Sequence, residues 1–491
     1  MMPQSAPALF TPTCRPFPEE MIPEAVFDER PEWVELYREA WRSAWRHVYE
    51  SAETPVSPYM SEGCATSLLW IWDTSLMTFF CRYAFRAFPG VESLDNLYRI
   101  MAGEPCALKI QHPDNPPLPA WAEREYFRFT GDAARLRRLL AEERTLEKYY
   151  CFLESLRGGD PAPPWGAIPL SWRCTPEGYH WNGISSGMDN TPRGRGDYET
   201  LLWFDAAAQQ GLAARSIAEM AAAIGDEPLR DAFLAEYRRK TELVQRYWDP
   251  ECGAFFDRRG GAFSRVLTPA VFWPMAAGMA TVEQAERLAS LVADPEKLGG
   301  HCPCPTVSRD DPDFSPDGLY WRGAVWVPLV YMTSVALRNY GKHAQAAELT
   351  RKLLDHMYDT WRGWSPHSIW ECYKPDRPEP ALNSKNRLCR ADFCGWSALG
   401  PISLFLEDII GIHEVSAAES KICWRLSSAK RHGVRRLAFG ENVVSLIYDG
   451  GMVEVTAARP FTLEVDSTLY ACPAGTSSFL VSHGSTPPSR T

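Results

Sequence analysis

"DYETLLWFDAAAQQGLAARSIAEMAAAIG" spans residues 197–225, and "EPLRDAFLAEYRRKTELVQRYW" follows at 227–248. The first segment is apolar nearly all round, so it reads as a helix buried on every side. The second carries charge along one face and reads as an amphipathic outer helix. Asp197, with Glu199 behind it, reads as the cap that opens the first helix, and Gly225 closes it. A buried helix, a short turn and an amphipathic helix make one unit of a two-layered helical ring.

The rhythm recurs. "LYWRGAVWVPLVYMTSVALRNYG" (319–341) is followed by "HAQAAELTRKLLDHMYDTW" (343–361). Further helices are expected over 31–51, 67–88, 130–157, 282–293 and 393–412. The expected fold is therefore mainly α, a toroid of helix pairs, with long loops gathered on one face around a central cavity. The loop at 158–196, rich in Pro, Gly and Trp, is too long to be idle. Past residue 421 the period changes to two, and Asp449-Gly450-Gly451 marks a hairpin turn. The expected organisation is an N-terminal extension (1–30), the helical domain (31–420), a small antiparallel β segment (421–481) and a disordered tail (482–491).

The chain of 491 residues carries a formal charge of -11, which argues against nucleic acid and anionic membrane surfaces as partners. No signal-peptide pattern or membrane-length apolar run is found, so a soluble cytoplasmic protein is expected. Fourteen Cys in a chain this long do not form a disulfide framework. Cys81, Cys151 and Cys394 sit in apolar runs and read as small core residues. "HCPCP" places His301, Cys302 and Cys304 together, but no matching second pair follows, so it reads as a Pro-rich loop with incidental thiols. No metal is expected. The 19 Trp are unusual in placement, because many sit at helix ends beside loops, where flat aromatic faces suit sugars.

Two acids stand out. Asp189 lies in "SSGMDNTPRGRGDYET" (185–200), among small and polar residues that let a ligand approach the backbone. Met188 and Trp181 are expected as apolar walls, which raise a carboxyl pKa toward the range of a general acid. Glu371 lies in "WRGWSPHSIWECYKPDRPEP" (361–380), flanked by Trp370 and Tyr373. Asp73 sits inside an otherwise apolar helix and must be paired, cap backbone or bind a sugar hydroxyl. Arg322, in "YWRGAVW" (320–326), either binds substrate or neutralises a buried acid. Two carboxylates on opposite walls of an aromatic cavity fit glycoside hydrolysis. No phosphate-binding glycine loop, GxSxG, HExxH or EF-hand pattern is present.

The segments "WIWDTSLMTFF", "NPPLPAW", "GMDNTPR", "YWRGAVWVPLVYM", "IWECYKPD" and "DFCGWSALGP" resemble, in order, the motifs of glycoside hydrolase family 63. Within it they look most like the mannosylglycerate-hydrolase-like branch, with trehalases as distant relatives. The resemblance covers about residues 30 to 412. It implies an (α/α)6 barrel, inversion of α-glycosides and no organic cofactor. It implies Asp189 as general acid and Glu371 as general base. It places Trp72, Asp73, Trp181, Asn182, Tyr320, Trp321, Arg322, Gly323 and Trp326 on segments that line the sugar pocket. Asn115 stands where the family usually has Gln, and it is counted with Trp370 among the expected substrate contacts. The implied substrate is a small α-glucoside, α-mannoside or glycosyl-glycerate.

Three rivals remain at this point. A phosphorolytic enzyme on the same barrel would replace the base with a phosphate site, for which Arg193 and Arg195 are candidates. A polysaccharide lyase would want a Tyr or His base. A non-catalytic sugar-binding toroid would bind without turnover.

Overall fold

The computed structural model describes residues 9–63 and 67–481. The expected disordered tail, 482–491, lies outside the described residues, as do residues 1–8 of the expected N-terminal extension. In chain order the α-helices are α1 (Pro31–Arg46), α2 (Ile71–Cys81), α3 (Gly90–Met101), α4 (Pro119–Thr130), α5 (Ala133–Arg137) and α6 (Thr145–Ser155). They continue with α7 (Phe204–Ala223), α8 (Glu227–Gln245), α9 (Trp273–Ala276), α10 (Val282–Ala293), α11 (Val327–Asn339) and α12 (His343–Gly363). A π-wound helix, Gly400–Ile410, follows.

Pattern and burial agree. Every residue of α2 and of the π-wound helix is buried, as is α7 from Phe204 through Ala214. By contrast α8 buries only Phe233, Lys240 and Val244. In α12 the buried set of Ala346, Leu349, Thr350, Leu353, Leu354 and Met357 follows the spacing of a single helical stripe. The buried helices pack in a circuit: α2 on α4, α4 on α7, α7 on α9, α9 on α11, α11 on the π-wound helix, and that helix back on α2. Outside it, α3 packs on α2, α8 on α7, α12 on α11, and α1 on the π-wound helix. The hairpins α7–α8 and α11–α12 turn at Gly225 and Gly341, both in the left-handed region at φ +77° and +73°.

Several boundaries differ from expectation. Asp197 does not cap α7. Its carboxylate accepts from the Glu199 amide (3.0 Å) and the Thr200 hydroxyl (2.7 Å), closing a local turn. Helix α7 begins only at Phe204, after Leu202 has paired with Arg258. Residues 319–326 are turns, not the first turns of α11. The segment 130–157 is broken at Arg144, whose φ is +53°. Helices α3 and α4 were not anticipated. Cys81 and Cys394 are buried as expected, but Cys151 is exposed on α6. Cys302 and Cys304 are buried, and among the described residues no cluster of His, Cys, Asp and Glu could hold a metal ion. No helix among the described residues is long and apolar enough to cross a membrane.

The β part is larger than expected and not wholly antiparallel. A five-stranded sheet runs in the order Glu24–Phe27, His432–Phe439, Asn442–Asp449, Met452–Ala457, Gly475–Leu480. A four-stranded sheet holds Ile412–Ser416, Lys421–Trp424, Phe461–Val465 and Thr468–Cys472, with Lys421–Trp424 and Phe461–Val465 parallel. The N-terminal segment therefore supplies an edge strand, and strand structure starts at Ile412 rather than after 420. The Asp449-Gly450-Gly451 hairpin forms as read, with Asp449 opposite Met452 and both glycines at positive φ.

Candidate active site

The first turn of α2 carries Trp72 and Asp73, and Trp326 immediately precedes α11. These helix starts share one face of the circuit, where the 182–196, 319–326 and 369–396 segments converge. They enclose a cavity of about 200 Å³. Its aromatic wall is continuous: Trp321 stacks on Trp326 (4.2 Å between centroids, 12° between planes), and Trp396 meets both Trp326 (5.2 Å) and Trp72 (5.4 Å). Tyr320 and Phe393 complete it.

The loop carrying Asp189 is held from both sides. Asn190 accepts from the Trp321 amide (2.8 Å) and donates to the Leu319 carbonyl (2.9 Å). Asn115 accepts from the Trp72 amide (3.2 Å) and donates to the Ser185 carbonyl (2.9 Å), joining α2 to the same loop. Gly187 is required for this closeness: at φ +77°, a Cβ there would lie 2.5 Å from the Trp72 ring. Gly323 serves another approach, since its Cβ would meet the Ser315 carbonyl at 2.3 Å.

Four carboxylates face the cavity: Asp189, Glu371, Asp73 and Glu62. Asp189 opens into it from deep among the walls, so its accessible surface is cavity surface. Burial, reinforced by the charge of Glu371, pushes its pKa up to about 7, although its own backbone amide and Arg390 pull the other way. Glu371 is differently placed. Its Oε1 accepts from the Tyr320 hydroxyl (3.2 Å) and Arg390 Nη1 (3.3 Å), and its Oε2 accepts from the Arg390 amide (3.1 Å). Burial still raises its pKa, but these donors oppose the rise. The Tyr320 phenol is pushed far up by burial and then by Glu371, so it remains a donor. Asp73 is buried, its Oδ2 has no hydrogen-bond partner among the described residues, and burial holds its pKa well above the usual range.

The expected site residues divide. Trp72, Asp73, Asn115, Asp189, Tyr320, Trp321, Trp326 and Glu371 line the cavity. Trp370 is buried beside it, its amide donating to the Tyr373 hydroxyl. Trp181 points into an aromatic cluster with Trp172 and Trp203, and with Asn182 it borders a separate groove. Trp181 is therefore not the wall of Asp189; the Trp72, Tyr320 and Trp321 side is. Met188 is buried against Arg193. Arg322 pairs with Asp313 (2.9 Å) outside the cavity lining, and Gly323 shapes its own turn. Arg193 is buried between Asp205 (2.6 Å) and Asp257 (2.5 Å), and Arg195 pairs with Asp311 and Asp313. Neither guanidinium faces the cavity.

Sequence reading missed Glu62, Gln111, His112, Arg390 and Phe393, all in the lining. Arg390 carried no local signal. It reaches Glu371 because Ala391 bridges to Trp370 across the intervening loop. Trp396 was visible only as one of many loop-side tryptophans.

Comparison with known proteins agrees with this geometry. A mannosylglycerate hydrolase from Rubrobacter radiotolerans is 30% identical over 147 residues, 29% of this chain and 33% of that protein. A mannosylglycerate hydrolase from Thermus thermophilus is 36% identical over 110 residues, 22% of this chain and 26% of that protein. The chain thus matches about a third or less of these relatives. The GH63 mannosylglycerate hydrolase from Thermus thermophilus, solved with glucose, superposes with a TM-score of 0.56 at 19% identity, over 76% of this chain and 99% of that one. Neutral trehalase from Saccharomyces cerevisiae superposes with a TM-score of 0.53 at 17% of identity or below, over 71% of this chain and 73% of that one. The family model for the mannosylglycerate hydrolase MGH1-like glycoside hydrolase domain matches residues 109–397, more than half of the chain and the part that carries Asp189 and Glu371. The chain belongs to that glycoside hydrolase family.

Proposed function

We propose that the protein is an inverting hydrolase of small α-glucosides or α-mannosides, with Asp189 as general acid and Glu371 as general base, on an (α/α)6 toroid. The observation that carries this reading is the contrast between two carboxylates facing one aromatic cavity. Asp189, pushed up to about 7, holds its proton near neutral pH and can give it to the glycosidic oxygen. Glu371 is kept toward its ionised form by Arg390 and Tyr320, as the group that accepts a proton from water must be. The stacked Trp321 and Trp326, with Trp72 and Trp396, offer apolar faces to the sugar ring. Asp73 offers an acceptor for its hydroxyls.

The circuit of buried helices, each paired with an outer one, supports the toroid. The expected division into a helical body and a C-terminal β part is kept in this proposal, with the sheets taken from Ile412 onward and from the N-terminal strand. A cytoplasmic setting is in keeping with cytosolic neutral trehalases among the relatives. The phosphorolytic alternative loses its two candidate anchors, because Arg193 and Arg195 are engaged by aspartates. The test is a panel of α-linked gluco- and manno-substrates with the wild type, Asp189→Asn and Glu371→Gln. Turnover by the wild type alone, with ligand binding retained in both variants, is expected. Turnover that persists in both variants would remove the pair from the mechanism.

A further inference from the structure

The relatives include enzymes named for mannosylglycerate, a glycoside whose leaving group carries a carboxylate. The charge distribution of this cavity speaks against such a ligand. Four carboxylates line it, and Arg390 is the one guanidinium or ammonium group in its lining. Arg390 is already engaged: its Nη1 lies 3.3 Å from Glu371 Oε1, so its charge is balanced where it stands. His112, also in the lining, is held neutral by burial, with its pKa below the usual value. Gln111 and Asn115 carry no charge. Protonation does not reverse the balance. With Asp189 and Asp73 both in the acid form, Glu62 and Glu371 still face Arg390 alone.

We infer that the substrate of this cavity is an uncharged α-linked saccharide, and that an anionic leaving group such as glycerate is excluded by the carboxylates of Glu62, Asp73, Asp189 and Glu371. The inference rests on the reading of the cavity as a glycoside site. The physical ground is that a fixed charge inside a water-poor, low-dielectric cleft is weakly screened, and a like charge brought beside it also loses its hydration. Specificity then comes from a repulsive element rather than a missing contact. Arginine clusters or bidentate forks are the usual receptors for a carboxylate, and a single guanidinium committed to an internal acid is not one.

The test uses the wild-type protein and three sulfur-linked α-mannosides that resist cleavage. Their leaving groups have one shape and differ in one substituent: carboxylate, carboxamide or aminomethyl. Binding is measured by calorimetry at pH 7. The expected result is that the carboxylate binds at least tenfold more weakly than the carboxamide, with the amine no weaker than the carboxamide. A carboxylate that binds as tightly as the carboxamide, or tighter, overturns the inference and leaves the glycoside reading standing. If none of the three binds, and their α-glucosyl counterparts do not bind either, both the inference and the glycoside reading fall together.

Discussion

Replacing Arg390 with Met should shift the pH dependence of catalysis without dismantling the site. The aliphatic stem is kept, and so is the backbone amide that donates to Glu371 Oε2 at 3.1 Å. What disappears is a positive charge 3.3 Å from Glu371 Oε1, on a side chain about half exposed. Two unit charges at that distance interact by about 5 kcal/mol at an effective dielectric of about 20. Half exposure screens most of this, since pairs open to solvent retain about 1 kcal/mol or less. A net loss of about 1.4 kcal/mol corresponds to about one pKa unit. The sign follows from the chemistry. Burial raises the Glu371 pKa and Arg390 lowers it, so removing Arg390 lets it rise further. A base must be ionised, so the acidic limb of the kcat/KM profile should move up by about one unit. At pH 5 the rate should fall roughly tenfold relative to the plateau. Arg390→Lys should restore most of the limb. An acidic limb that does not move in Arg390→Met would show that the limb does not report Glu371, and the base assignment would fall with it.

Three further outcomes are expected. The alkaline limb of the wild-type profile should lie near pH 7, because Asp189 acts only while protonated. Asp189→Asn should cost on the order of 10²–10⁴ in kcat, with a melting temperature at pH 8 no lower than the wild type. The sign of the stability term agrees: a carboxyl whose folded pKa is raised favours folding below the unfolded pKa and loses that contribution as pH rises through about 7. Gly187→Ala should destabilise by about 2–4 kcal/mol in denaturant unfolding, since it combines a φ of +77° with a 2.5 Å approach to Trp72. Arg193→Met should cost about 3–5 kcal/mol in the same assay by stranding Asp205 and Asp257 in the core, and phosphate should not alter the rate of the wild type.

The helical layering was legible because burial on all sides and burial on one stripe leave different patterns. The contrast between 204–223 and 227–245 shows this in sequence and in structure alike. Asp189, Glu371, Trp72, Tyr320 and Trp326 were legible because acids and aromatics in Gly- and Pro-rich loops have few structural duties there. Arg390 was not, because its meaning comes from a non-local bridge that brings residues 369–373 beside 389–393. Trp181 was misplaced for a related reason: an aromatic in the right loop can turn either way, and here its indole N–H donates to the Asp114 carbonyl (3.0 Å) behind the site. The N-terminal strand Glu24–Phe27 escaped notice because four residues carry no readable period, and their partner lies some 400 residues away at His432–Arg435. Asp197 looked like a cap because Asp before an apolar run has that signature; a local turn and an extended pair intervene before α7 begins.

The most direct measurement is the anomeric form of the sugar first released, followed by proton NMR through the opening minutes of hydrolysis of an α-linked gluco- or manno-disaccharide. With Asp189 as acid and Glu371 as the base that activates water, the β-anomer should appear first and the α-anomer only by slow mutarotation. Release of the α-anomer first would mean a covalent intermediate, and Glu371 would then be a nucleophile rather than a base.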